Sequence, residues 1–406
     1  MTEAAAAARS SPRLGVDFHT FDGIYQGSRS HLLGLYRAAI VQAPDIEFFF
    51  FLANPQALRA AHPEFSRPNT HLIAMRDRPG IWRLAWQLAS MQRRHRLDLL
   101  HVQYRLPFLP QGPCMCTLHD VLFETHPQFF GRSFARVARV SARRAVRQAA
   151  IMLTVSEYSR RQIAAHYGID PERVILTPNA VDRTRFHPGQ DGEELLRRWD
   201  LRSGEYVCML GRLEPRKNHV SLVRAYARLG ASAPPLLIIG QRDFAYAAVF
   251  ETIQRLQISE RIRIIEDADD EALPTLLRHA RLMVYPSHAE GFGMPVLEAL
   301  ASGVPVITSN TTSLPEVAGP AAWLTSPTDV DRLAECLREA LAETPAARER
   351  RIERGLEHAA RFTWHEAAKN LIDAVRRAIP RGPQAAGATE IGAPPSSVQR
   401  FDDLNT

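Results

Sequence analysis

Apolar runs of strand length alternate with helical patterns along almost the whole chain, and this rhythm constrains the fold more than any single motif. The first half offers RLGVDF, DIEFFFFLA, THLIAM, DLLHVQ, CMCTLHD, AAIMLTVS and RVILTP, with amphipathic stretches at 28–41, 81–95 and 132–148 between them. The second half repeats the pattern with EYVCMLG, PPLLIIG, RIRIIE, RLMVYPS, GVPVITS and AAWLTS. Continuous apolar strands separated by helices belong in parallel sheets covered on both faces. A chain of 406 residues exceeds one ordinary core, so the two runs predict an α/β protein of two doubly wound, Rossmann-like domains facing across a cleft. Polar, Pro and Gly residues cluster in DRTRFHPGQDGEE, 182–194, and mark the joint. We expect a first domain over 13–185, a second over 186–362, and a closing helix, 363–379, packing back toward the first. Residues 1–12 and the Pro/Gly/Ala/Ser-rich tail 380–406 are expected to be disordered.

Several function classes are disfavoured at once. The start, MTEAAAAARSSPRLGVDF, has no basic region ahead of a long apolar stretch, and no 18-residue apolar run follows anywhere, so neither a signal peptide nor a membrane span is expected. Cys114, Cys116, Cys208 and Cys336 form no CxxC pair, which points to a reduced, cytoplasmic protein without structural zinc. The net charge of +6 is carried by arginine far more than lysine. A GC-rich genome would also give an Ala- and Arg-rich chain, so charge alone does not imply a nucleic-acid partner, and none is expected.

Chemistry concentrates in HAEGFGMPVLEALASGVPVIT, 288–308. RLMVYPS reads as a strand, 287–293 as the loop at its carboxyl end, and 294–302 as a helix with Pro295 in its first turn. Free backbone N–H groups then stand beside Gly291 and Gly293, a site for an anionic or hydroxyl-rich ligand at the sheet's carboxyl edge. Glu290 and Glu298 flank it, which suits a ligand carrying both phosphates and hydroxyls, as a nucleoside diphosphate sugar does. The competing readings are first-turn acids favoured by the helix dipole and a glycosidase pair. Glycosidase carboxylates stand roughly 5 to 9 Å apart, whereas eight helical residues span about 12 Å. A second constellation, YVCMLGRLEPRKNHVSLVRAY, places a Gly211 turn, Arg212 and Lys217 between a buried strand and a helix, which suits a diphosphate. Two exposed bases on a loop are the alternative. Neither GxxxxGK[ST] nor GxGxxG occurs, so an ATPase or a dinucleotide enzyme is not favoured.

Taken together, EGFGMPVLE and GRLEPRKN resemble the GT-B retaining glycosyltransferases of family 4. LTVSEYSRRQIAAHYGIDPERVILTPNAVDRTRF, TLHDVLFETHPQFF and SNTTSLPEVAGPAA are similar to further segments of that family, so the likeness covers nearly the whole chain. The resemblance implies that Arg212 and Lys217, next to Gly211, hold the donor diphosphate and balance the departing nucleotide's charge. It implies that Glu290 and the backbone of Gly291, Phe292, Gly293 and Met294 meet the sugar, that Glu298 accepts from the ribose hydroxyls, and that His119 hydrogen-bonds the donor sugar with Asp120 beside it. No metal or other cofactor is expected, since the cations do the work a metal ion does elsewhere. His119 and Asp120 lack a nearby third ligand and make a poor metal pair. Two places depart from the family pattern. Glu266 stands where members often have glycine, at the strand end lining the nucleobase pocket. The amino-terminal glycine loop appears as FDGIYQGSRSH, with Gly23 and Gly27 as counterparts and Ser28, Arg29 and His31 as unusual company. Arg29 either reaches a phosphate on the acceptor side or is a capping-turn surface arginine.

SNTTSLPEVAGPAA and TLHD look most similar to bacterial mannosyltransferases and rhamnosyltransferases of surface polysaccharides. GDP-mannose is the favoured donor, with UDP- and dTDP-sugars such as rhamnose open, and a glycan or lipid-linked saccharide the acceptor. FFGRSFARVARVSARRAVRQ joins Phe129, Phe130 and Phe134 to six arginines over 129–147, a helix able to lie on an anionic leaflet or simply a solvated basic face. Trp82 and Trp86 add to the first reading, so a peripheral location on the inner face of the membrane is expected. A non-catalytic membrane- or nucleic-acid-binding protein with a decayed donor site is the rival from another class.

Overall fold

The computed structural model describes residues 11–23, 27–76 and 79–379. The expectations for 1–10 and 380–406, and part of the FDGIYQGSRSH loop (24–26), lie outside these residues. Two sheets form, every strand pair parallel. The first has seven strands, β1 (Arg13–Asp17), β2 (Glu47–Leu52), β3 (Thr70–Ala74), β4 (Leu99–Gln103), β5 (Cys114–Thr117), β6 (Ile151–Thr154) and β7 (Val174–Leu176), in the order β3-β2-β1-β4-β5-β6-β7. The second has six, β8 (Val207–Leu210), β9 (Leu236–Ile239), β10 (Ile262–Ile265), β11 (Leu282–Tyr285), β12 (Val306–Ser309) and β13 (Trp323–Thr325), in the order β10-β9-β8-β11-β12-β13. Both reverse direction beside their first strand, at β1/β4 and β8/β11, which opens a crevice at the carboxyl ends.

Strand period explains why the apolar runs are continuous. In β2, Phe48 and Phe50 enter the core on one face of the sheet while Phe49 and Phe51 enter the other. In the second sheet, Val207, Met209, Leu282 and Val284 face one core and Cys208, Met283 and Tyr285 the opposite one. Each sheet therefore needs helices on both sides, and the chain supplies them. Pro12 is buried and its carbonyl accepts the Glu47 N–H (2.8 Å), so ordered pairing starts one residue ahead of β1. No helix among the described residues is long and apolar enough to cross a membrane.

The helices Gly27–Gln42 and Trp364–Ala378 share one face of the first sheet. Leu35, Tyr36 and Ala39 of the former meet Ala367, Leu371 and Val375 of the latter in a single core, and Asn370 Nδ2 donates to the Leu176 carbonyl (3.0 Å) on β7. Gly34 is what lets the two helices approach, because a Cβ there would fall inside the Trp364 ring. Gly34→Ala should therefore lower stability by about 1–3 kcal/mol despite its better helix propensity. A Gly34→Ala/Trp364→Leu pair should recover much of the loss in a thermal melt, and simple additivity of the two changes would refute the contact.

Candidate functional site

The loop after β11 carries Ser287 to Gly293 and feeds the helix Met294–Ala301. Gly293 adopts φ +110°, in the region that favours glycine, and starts that helix. Glu290 is buried, and four donors converge on its carboxylate. Oε1 accepts from Lys217 Nζ (2.8 Å), Tyr285 Oη (2.9 Å) and Ser287 Oγ (2.7 Å), and Oε2 from Arg216 Nη1 (2.7 Å). Burial by itself raises a carboxyl's pKa; here Arg216 and Lys217 outweigh it and hold Glu290 at about 2. Burial pulls the Lys217 ammonium below its ordinary value, with Glu290 opposing.

The two cations arrive on the loop after β8. A short turn at Pro215–Lys217 presents both side chains, and the loop is sewn to the β11 loop by Arg216 Nη1 to the Ala289 carbonyl (2.8 Å), Ser287 Oγ to the Arg216 carbonyl (2.9 Å) and Asn218 Nδ2 to the Pro286 carbonyl (2.9 Å). Arg216 also pairs with Glu214 (2.6 Å). Arg212 does not join this cluster. It stands half exposed against Asp243 (3.2 Å), in a rim pair of small worth.

From the first domain, His119 comes in behind β5. It is buried, its Nε2 lies 2.6 Å from Gln103 Oε1, and its ring packs edge-on against His31, with centroids 4.9 Å apart. Burial, with His31 and His101 near, drives its pKa far below the usual imidazole value, so the ring is neutral at pH 7. With Nε2–H given to Gln103, Nδ1 is left as an acceptor. Asp120, raised by burial, accepts the Leu122 N–H (3.0 Å). A Cβ on Gly291 would stand 2.8 Å from the Asp120 side chain and 3.1 Å from the His119 carbonyl, so only glycine permits this approach between the domains.

Glu298 lies on the helix after Gly293 in the opposite kind of environment. It is partly exposed, and burial pushes its pKa up to about 7, Arg185 opposing and Asp270 adding. Glu266, at the end of β10, accepts from Arg242 Nε (2.9 Å) and Nη2 (2.8 Å). Arg29 lies over the Phe21 ring (4.8 Å), near the exposed Gly27 that opens its helix. The structure thus gathers Glu290, Lys217, Gly291, His119 and Asp120, and leaves Arg212 and Arg29 outside that group. Sequence reasoning passed over Arg216, Tyr285, Ser287 and Gln103. Arg216 had one signal: a carboxylate buried beside glycines needs more than one cation. Among the described residues, no three His, Cys, Asp or Glu side chains group as a metal would require.

The family described as Glycosyl transferases group 1 matches residues 193–358, and Glycosyltransferase Family 4 matches residues 25–185. O-antigen chain mannosyltransferase B of Escherichia coli is 34% identical over 265 residues, covering 64% of this chain and 69% of that protein. The chain is a family 4 glycosyltransferase. The MMP alpha-(1->4)-mannosyltransferase of Mycolicibacterium hassiacum is 31% identical over 243 residues, 59% of this chain and 57% of its own length. Among solved structures, Anabaena Alr3699/HepE in complex with UDP and glucose superposes with a TM-score of 0.71 at 19% identity, covering 90% of this chain and 100% of that one. The fold of this glycosyltransferase is GT-B.

The two glutamates of the glycosyltransferase should respond oppositely to pH. Glu290 is depressed from 4.5 to about 2, so its contribution is complete above pH 4.5 and is lost as pH falls toward 2. Glu290→Gln should cost about 3–5 kcal/mol at neutral pH by leaving Lys217 without its carboxylate and Arg216 with Glu214 alone, with the deficit shrinking in acid. Glu298 is raised from 4.5 to about 7, so the folded state binds the extra proton and stability falls as pH rises through that window. Glu298→Gln should therefore melt higher than wild type at pH 8 and alike at pH 4. Melting curves of both variants across pH check the signs.

Proposed function

We propose that this glycosyltransferase moves mannose from GDP-mannose, with retention of configuration, onto a saccharide carried on a lipid, during synthesis of a bacterial surface polysaccharide. The observation that supports it best is the buried Glu290 carboxylate, kept ionised beside a neutral His119 across the crevice. Glu290 Oε1 already has three donors, so Oε2, beside Arg216, is the oxygen that can accept a sugar hydroxyl, while His119 Nδ1 accepts another. The donor diphosphate draws on Lys217 and on Arg212, which surrenders only its rim pair with Asp243. Glu298, once ionised, accepts from the ribose. Mannose is favoured because both relatives named above are mannosyltransferases. Lys217 and Arg212 would balance the charge that develops on the leaving group, so this reading needs no metal ion.

A panel of nucleotide sugars tests the donor. GDP-mannose should raise the melting temperature most, since a ligand at about 100 times its Kd adds about 2.7 kcal/mol. A larger shift with a UDP- or dTDP-sugar would replace the donor, and no shift with any would reject the reading. Transfer should persist in excess EDTA; loss on chelation, restored by magnesium or manganese, would reject metal independence.

The membrane reading takes a sharper form on the structure. The helix Arg132–Gln148 exposes Phe134, Val137 and Val140, and Trp82, Trp86, Phe108 and Leu109 are exposed on neighbouring segments. Arg144 fastens these segments by donating to the Pro107 (2.6 Å) and Phe108 (3.0 Å) carbonyls, and Phe108 N–H bonds the Leu84 carbonyl (2.9 Å). The apolar edge is thus wider than the helix, with Arg136, Arg143 and Arg147 beside it. Phe129 is not part of it: its ring stacks on His288 of the second domain (5.2 Å). Arg139 is bound to Glu124 (2.7 Å). Reversing Arg136, Arg143 and Arg147 to Glu should release the protein from anionic vesicles, each charge being worth about 1 kcal/mol, while transfer to a short soluble acceptor survives. Unchanged co-sedimentation of the folded variant would mean a merely solvated face.

A further inference from the structure

The turn Glu290–Phe292 has all three of its carbonyls held by serine hydroxyls. Ser313 Oγ lies 2.9 Å from the Glu290 oxygen and 2.8 Å from that of Phe292. Both groups belong to the second domain. The Gly291 oxygen is held from the other side of the crevice, by Ser156 Oγ (2.7 Å) and Ser159 Oγ (3.2 Å) of the first domain. Ser156 is the N-cap of the helix Glu157–Tyr167, where its hydroxyl also accepts the Ser159 N–H (3.1 Å).

The same helix end receives a group in return. Glu316, on the short helix Leu314–Ala318 of the second domain, places Oε1 2.9 Å from the Glu157 N–H and Oε2 3.1 Å from the Tyr158 N–H. The first N–H groups of a helix have no partner within it and carry the positive end of its dipole. A carboxylate straddling two of them makes charge-assisted bonds, and this one comes from another domain. Glu316 stands three residues beyond Ser313, so one segment both holds the sugar-facing turn and docks onto the first domain.

We propose that the amino end of the helix Glu157–Tyr167 is a positioning element for the donor-sugar subsite, with Ser156, Ser159 and Glu316 as positioning residues. A trans peptide sets its C=O and N–H on opposite sides. Fixing the Gly291 carbonyl therefore also fixes the Phe292 N–H, in the turn that meets the sugar under the proposed donor reading, on which this inference rests. The subsite is complete only while the domains touch. The three residues act through this turn, and their bonds across the crevice are lost when the domains part.

Glu316→Gln, Ser159→Ala and their combination test this; Ser156 is left intact because it also caps its helix. Turnover is measured with whichever nucleotide sugar raises the wild-type melting temperature. Calorimetry with the matching nucleoside diphosphate reports the nucleotide half of the site, and X-ray scattering reports domain contact. The double variant should lose about tenfold or more in kcat while nucleoside diphosphate affinity stays within about twofold, because the missing bonds form only across the crevice. Its radius of gyration should exceed that of the wild type. Turnover within about twofold of wild type, or a loss matched by weaker nucleotide binding, would overturn the proposal. If no nucleotide sugar binds the wild type, the donor reading fails on its own, and equal radii for the empty proteins would still overturn the positioning contact.

Discussion

Burying a carboxylate at the carboxyl edge of the second sheet forces much of what surrounds it. Glu290 sits where the sheet reverses direction, between the loops that follow β8 and β11. A charge there is tolerable only with partners in hydrogen-bond contact, because desolvation alone costs several kcal/mol per ion. Arg216 and Lys217 meet that demand, and they can do so only if the two loops are held in register. The Asn218, Ser287 and Arg216 bonds between the loops provide the register. The strand ends, the turn at Pro215–Lys217 and the carboxylate thus determine one another. Removing any one leaves an uncompensated charge rather than a gap.

Two glutamates eight positions apart differ in charge state because Arg216 and Lys217 bond to Glu290, whereas Arg185 does not offset the burial of Glu298. Glu290 is ionised at neutral pH, with four donors fixing its carboxylate. Glu298 is held near the middle of its titration at neutral pH by burial that Arg185 does not offset. Such a group gains most when hydroxyl donors reach it, since they stabilise the form that burial penalises.

The elements were legible in the sequence because strands buried on both faces leave an unbroken apolar trace, which the FFFF run of β2 shows at its clearest. The loop and helix around Glu290 were legible for the same local reason, since glycine, proline and a helical pattern specify a turn within a few residues. What could not be read depended on distant pairing. Arg212 and Arg216 are chemically alike and four residues apart, and only the turn at Pro215–Lys217 decides which of them reaches Glu290. Phe129 looked like part of the membrane edge because its apolar neighbours were counted, whereas its partner, His288, lies on the other domain. Ser156 and Gly291 are 135 positions apart, and no periodicity carries that information.

The chain passes between the domains twice, and its side chains locate both crossings closely. On the way out, Asp182 is held by Arg37 of the first domain (3.5 Å), while Arg185 is already bound to the second through Asp270 (3.0 Å) and, by its carbonyl, through Arg278 (2.9 Å). Only Arg183 and Thr184 lie between. On the way back, Phe362 packs on Phe292 of the second domain, centroids 5.6 Å apart, and Trp364 packs on the first-domain helix at Gly34. Only Thr363 lies between. Two pivots of one or two residues define an axis, so any relative motion of the domains would be constrained to a rotation about that line rather than free wandering on a tether. Two serine hydroxyls and one carboxylate are among the groups that meet across the crevice, and they form hydrogen bonds that water can replace. A rotation about a fixed axis returns them to the same partners each time, which is what a turn with its carbonyls held from two domains requires.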